Sequence, residues 1–174
     1  MLPISLIICL PYSIRRVSSI VEFTHIQDDR ACMVDVSEKK DVMREALAKG
    51  RIYLRDETLE AIREGSVIKG NVLATARVAA VQAVKANFLL IPMCHPLPIG
   101  GVKVDFEEGE GYIEASVWVK SYGRTGVEME ALAGVSVGLL TVWDMVKSAE
   151  KDENGQYPTT GIEDIHVVEK KKGE

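Results

Sequence analysis

The sequence predicts an α+β fold, and three observations carry that prediction. Two long segments, residues 71–86 and about 126–151, combine strong helix formers with helical hydrophobic spacing. Between them, VKVDFE at 102–107 and YIEASVWV at 112–119 alternate around a turn containing Gly109 and Gly111, the pattern of a β-hairpin. A last run, IEDIHVVE at 162–169, suggests a closing strand. Strand, helix, hairpin, helix, strand is an α+β order. At 174 residues there is room for one domain with its own core. Aromatics are only 6%, so that core must come from Val, Ile, Leu and Ala, which let helices and sheet approach closely.

In chain order, residues 1–10 (MLPISLIICL) are apolar, but no Lys or Arg precedes them and Pro3 and Pro11 bracket them. The run is about half of the ~20 residues that a membrane span needs. It is expected to belong to a non-catalytic extension over residues 1–22, with one functional domain over residues 23–170; an extra packed strand or an interface arm is the alternative. The stretch ACMVDVS at 31–37 is partly alternating and reads as a strand. VMREALAKGRIYLR at 42–55 reads as helix in its first half and strand in its second, with Gly50 able to interrupt either. Asp56 is placed as the N-cap of a short helix, DETLEAIREG, that Gly65 closes.

Asn71 is placed as the cap of the 71–86 helix, whose Ala-rich surface allows packing on several faces and points to a subunit interface. IPMCHPLPIGG at 91–101 reads as a structured loop, because Pro92, Pro96 and Pro98 lack amide donors. On the second long helix, 100° per residue gathers Leu132, Val135, Leu139, Val142, Trp143 and Val146 on one face. Glu130, Thr141, Asp144 and Ser148 fall on the other, with Gly134 and Val137 leaving that polar strip open to a ligand. The terminal KKKGE reads as a solvated tail.

A formal net charge of −5 argues against general nucleic-acid binding, which depends on neutralising phosphates with Lys and Arg. It leaves open a phosphorylated small molecule held by a few local cations. Cys9, Cys32 and Cys94 form no Cys-x-x-Cys pair, and His25, His95 and His166 are as scattered, so no metal or other cofactor is expected and a reducing compartment, the cytoplasm, fits.

Three segments unite polar groups with helix entries or tight loops: Lys69-Gly70-Asn71, Met93-Cys94-His95-Pro96, and GRTGVEME at 123–130. Helix starts expose unpaired amides, so a Gly-containing entry beside Lys or Arg can bind phosphate, although such a glycine by itself usually serves only the turn. Asp144 and Lys147 lie one helical turn apart, a spacing that alone reads as a surface ion pair. Glu130 on the same helical face shifts the balance, since clustered carboxylates push one pKa upward. His95 is a candidate proton donor or phosphate ligand. Cys94 reads as packing rather than as a nucleophile.

The segments MVDVS at 33–37, KGNVLATAR at 69–77, IPMCHPL at 91–97, GRTGVEMEAL at 123–132 and VWDMVK at 142–147 together closely resemble the cyclic pyranopterin monophosphate synthase family, also called molybdenum cofactor biosynthesis protein C. The resemblance runs from about Thr24 to Val168. It implies a ferredoxin-like antiparallel sheet with helices on one face, and a homo-oligomeric hexamer, a trimer of dimers, with active sites at subunit boundaries. It also implies a cyclised GTP-derived substrate supplied by a radical S-adenosylmethionine partner enzyme, and a product with a cyclic phosphate. Carried onto this chain, Asp144 would be the acid/base, with Lys147 and Lys69 beside it. Met93, Cys94, His95, Glu128, Met129 and Glu130 would contact substrate, and Arg124 and Arg77 would help offset the triphosphate. A helix starting at Gly126 would turn Glu128 about 160° from Glu130, so sharing one site would require another subunit or an earlier bend. Two competing readings are a non-catalytic ligand-binding module and a thiol hydrolase built on Cys94 and His95.

Overall fold

A computed structural model of the chain describes residues 26–27 and 30–174. The expected extension over residues 1–22 lies outside them. A small N-terminal unit carries β1 (Ile26–Gln27) paired antiparallel with β2 (Arg30–Ala31). The second unit, Met33–Glu174, holds β3 (Val42–Tyr53), α1 (Asp56–Glu64), α2 (Val72–Leu90), β4 (Ile99–Gly109), β5 (Tyr112–Gly123), α3 (Glu128–Glu150) and β6 (Gly161–Lys172). Its four strands form one antiparallel sheet in the order β4-β5-β3-β6, and α2 and α3 pack on the same face. Apart from the short α1, this is the βαββαβ order of the ferredoxin-like class.

Period two decides β3. Ala46, Ala48, Gly50 and Ile52 are buried while Leu47, Lys49 and Arg51, which alternate with them, are half-exposed, so 42–53 is strand throughout, and the helical reading of its first half is wrong. Pairing on both sides, with β5 and β6, overrides the helix preference of Ala and Leu there. The strand expected over residues 31–37 ends at Ala31. Beyond it the Asp35 carboxylate accepts the Ser37 amide at 2.8 Å, and Lys39 N donates to Val36 O, a local turn that replaces a ladder.

Helix boundaries divide the same way. Asn71 caps α2 by accepting the Ala74 amide at 2.9 Å, and Gly65 closes α1 with φ of 69°. Asp56 is not a cap. Arg55 occupies that position without a side-chain hydrogen bond, and Asp56 is the first helical residue, where its charge still faces the positive helix end. The terminal lysines are not a free tail either: Lys170 pairs with Ala46 and Lys172 with Arg44, extending β6 along β3.

The helices meet along small residues. A Cβ on Gly134 would lie 2.8 Å from Val84 Cγ2 and 2.9 Å from Val117 Cγ1, and one on Gly138 would lie 3.4 Å from Ala80 Cβ. Around Gly134 the strip expected to be open to a ligand is therefore filled by α2, while Asp144 farther along it stays exposed. Gly134→Ala gains up to about 1 kcal/mol of helix propensity but overpacks a seam where such strain costs about 1–3 kcal/mol. The expected result is a lower urea midpoint with an unchanged slope. Although α2 and α3 are long and apolar enough to cross a membrane, they pack against each other and the sheet.

Glu150, fully buried at the end of α3, accepts the Arg55 amide at 3.3 Å and the Thr160 hydroxyl. It ties the last turns of α3 to the segments on either side.

Candidate active site

The topology puts the candidate residues at two ends of one helix pair. Lys69 precedes α2, and Asp144 and Lys147 lie in the last turns of α3. Lys69 Nζ donates to Asp144 Oδ2 at 3.1 Å and also to the Asp144 backbone carbonyl, while Lys147 Nζ donates to Asp144 Oδ1 at 2.6 Å. One carboxylate thus sits between ammoniums from two separate elements. The Lys147 and Lys69 hydrogen bonds hold the Asp144 carboxyl below the ordinary aspartate range. Asp144 in turn raises Lys147. All three side chains are exposed, so a ligand can reach them. Beside Lys69, a cleft of about 400 Å³ opens between α1 and α3, lined by Thr58, Val67, Ile68 and Met145 among others.

At the opposite end lie the 91–98 loop and the start of α3. Glu130 is not a neighbour of Asp144. From 130 to 144 the helix rises about 21 Å, so a shared angular face does not make one carboxylate cluster. Glu130 is buried, and Asn87 Nδ2 donates to its Oε1 at 2.8 Å. Burial raises the Glu130 carboxyl, against the opposing effect of that hydrogen bond. Cys94 is raised by burial and by the charge of Glu130, against a hydrogen bond from Asn87, so it rests as a thiol and not as a nucleophilic thiolate. His95 Nε2 contacts the Val34 carbonyl at 2.9 Å, tying the 91–98 loop to the strand-free segment before β3.

Because α3 begins at Glu128, Glu128 and Glu130 diverge. Glu128 faces a cavity of about 500 Å³ whose cations are Lys39, Arg44, Arg124, Lys170, Lys171 and Lys172. Burial alone would raise the Glu128 carboxyl, but Lys170 at 2.9 Å and nearby Arg44 bring it below its ordinary value. Glu128 thus stands among cations rather than away from them. Arg124 Nε lies 3.5 Å from Asp41, its carbonyl accepts from Arg44 Nη2 at 3.3 Å, and Arg44 Nε is buried without an acceptor among the described residues. Met129 is exposed beside this cavity's helix start. Arg77 is committed elsewhere, donating to the Val104 carbonyl at 3.0 Å and lying over the Phe106 ring.

Sequence reasoning missed Arg44, Lys170, Lys172 and Asn87. The lysines read as a tail, and no local pattern marks the other two. Among the described residues no group of three or more His, Cys, Asp or Glu side chains is placed to hold a metal ion.

The raised Glu130 carboxyl has a consequence for stability. Between the ordinary carboxylate value and the raised one, the native chain holds a proton that the unfolded chain has released. The stability this gives is complete below the ordinary value and lost as pH rises through the raised one. Urea midpoints measured against pH are expected to fall across that window in the wild type and to fall less in Glu130→Gln.

A ferredoxin-like domain with an ammonium-flanked carboxylate and a separate cation-lined cavity is, as a class, a small α+β domain whose exposed charges can meet anionic small molecules. The chain belongs to the MoaC family, whose model matches residues 33–173. It is 74% identical over 154 residues to a protein of Methanoregula boonei, covering 88% of this chain and 99% of that one. It is 58% identical over 153 residues to one of Thermococcus kodakarensis, covering 88% and 98%, and 59% identical over 149 residues to one of Pyrococcus abyssi, covering 86% and 94%. Each of the three is named "Probable cyclic pyranopterin monophosphate synthase".

Proposed function

We propose that this chain is a cyclic pyranopterin monophosphate synthase of molybdenum cofactor biosynthesis, a lyase that converts 3',8-cyclo-7,8-dihydroguanosine 5'-triphosphate into cyclic pyranopterin monophosphate and pyrophosphate. The observation that carries the reading is Asp144 held between Lys69 and Lys147 in a chain of this family. Asp144 rests ionised, so it acts first as a proton acceptor. An incoming triphosphate competes for both ammoniums, and once they turn to phosphate oxygens, Asp144 binds a proton more readily. Glu130, kept toward its protonated form by burial, is the better resting proton donor; two carboxyls in different environments divide acid and base work.

Further donors come from the other end of the domain. Arg124, with Arg44 and the β6 lysines, offsets phosphate charge, while His95, Cys94, Met93, Glu128 and Met129 contact substrate. Arg77, bound to the Val104 carbonyl, is not counted among these donors. A ribose oxygen attacks the first phosphate, and pyrophosphate leaves.

In a single chain the two residue groups are about four helical turns apart. The active site therefore joins Asp144 of one copy to the 91–98 loop and Glu130 of another, in a hexamer arranged as a trimer of dimers. Residues 23–170 make the catalytic domain and residues 1–22 a non-catalytic extension. The enzyme works in the cytoplasm, without nucleic acid or membrane, downstream of a radical S-adenosylmethionine GTP cyclase. Incubating the purified chain with the cyclised nucleotide should release pyrophosphate, and GTP itself should yield none. Binding of the cyclised nucleotide without release would favour a ligand-binding module.

A further inference from the structure

The seam between α2 and α3 is apolar until its last contact. From the start of α2, Ala76, Ala80 and Val84 are buried, and Gly134 and Gly138 oppose them. One turn beyond Val84 comes Asn87, 1% exposed, directly across from Glu130. Its Nδ2 donates to Glu130 Oε1 at 2.8 Å, its amide lies near enough to Cys94 to ease ionisation of that thiol, and its Oδ1 is buried with no partner among the described residues. A helix seam does not require this. An aliphatic side chain would continue the packing and spare the desolvation of an orphaned amide carbonyl. The amide also acts on both Glu130 and Cys94, residues that the proposed function puts against substrate.

We infer that Asn87 is a positioning residue of the active site, which fixes the orientation and the proton affinity of the Glu130 carboxyl and presents the Cys94 thiol from the 91–98 loop. The inference rests on the proposed function only for the word active; the electrostatic role stands on the geometry. Its chemistry is asymmetric. An amide N–H stabilises the ionised carboxylate and the thiolate, so removing it must leave both groups harder to ionise. The groups that bear on Glu130 are Asn87 from α2, Cys94 from the loop and Glu128 from its own helix.

Asn87→Leu keeps the seam apolar and filled, and Asn87→Asp keeps the shape while removing the amide donor. Two measurements on the full chain apply to both variants. In the pH profile of kcat/KM for pyrophosphate release, the limb set by Glu130 is expected to move to higher pH, further in Asn87→Asp, where two carboxyls share one space. Leucine should also lower kcat/KM where Glu130 is protonated by about twofold to tenfold, the range expected for losing one hydrogen bond between neutral groups. In a separate readout, the rate of iodoacetamide labelling of Cys94, followed by peptide mass spectrometry against pH, should turn on at higher pH in both variants. A variant that loses thermal stability while both pH profiles stay at their wild-type positions overturns the inference and leaves the proposed function standing. A wild type that releases no pyrophosphate overturns the proposed function, and the Cys94 profile then still decides whether Asn87 tunes this cluster.

Discussion

Asp144→Asn is expected to lower kcat for pyrophosphate release by about 10²–10⁴, the range of a lost general acid or base, while leaving stability nearly unchanged. Asparagine has the same shape and keeps a carbonyl oxygen for one lysine, but at neutral pH it neither accepts a proton nor holds a charge between two ammoniums. The fold loses little, because the Asp144 side chain is exposed and its partners are surface lysines whose pairs contribute little in water. A comparison of kcat with the urea midpoint separates the two effects. Near wild-type turnover in a well-folded Asp144→Asn protein would remove Asp144 from the chemistry, and with it the reason for placing Lys69 and Lys147 there.

The second large effect is a recovery rather than a loss. Asp144→Asn and Glu130→Gln, each impaired alone, should regain activity when unfolded together and refolded as a mixture. If each site takes Asp144 from one copy and Glu130 from another, a mixed pair of copies contains one intact site and one doubly altered site. Random pairing of equal amounts then gives about a quarter of wild-type activity, as expected for a symmetric interface with two composite sites. If each chain supplies a whole site, the mixture shows no more than the sum of its parts. The distance along α3 makes this a sharp test, since about 21 Å of rise between 130 and 144 is fixed by helix geometry.

Much of the fold was legible because its signals are local. The Asn71 cap, the Gly65 stop, the hairpin and most of the loop read at 91–101, whose last three residues instead open β4, follow from residues within a few positions of one another. Misreadings occurred where distant partners decide the outcome. The first half of β3 has helix formers, yet β5 and β6 claim it from both sides. The terminal lysines look solvated until β3 is seen to pair with them. At the candidate site, the Lys69, Asp144 and Lys147 grouping joins two segments that are close only because α2 begins where α3 ends. Glu130 shows the converse error: angular position on a helix was legible, but axial distance outweighs it. Asn87 gave no signal at all, since a polar residue near a helix end ordinarily faces water.

The most direct measurement is ³¹P NMR of the purified chain mixed with 3',8-cyclo-7,8-dihydroguanosine 5'-triphosphate. The three substrate resonances should disappear together, giving one pyrophosphate signal and one cyclic phosphodiester signal in matching amounts, with no such change in Asp144→Asn. Persistence of the triphosphate with wild-type protein, or its stepwise loss as inorganic phosphate, would contradict the account.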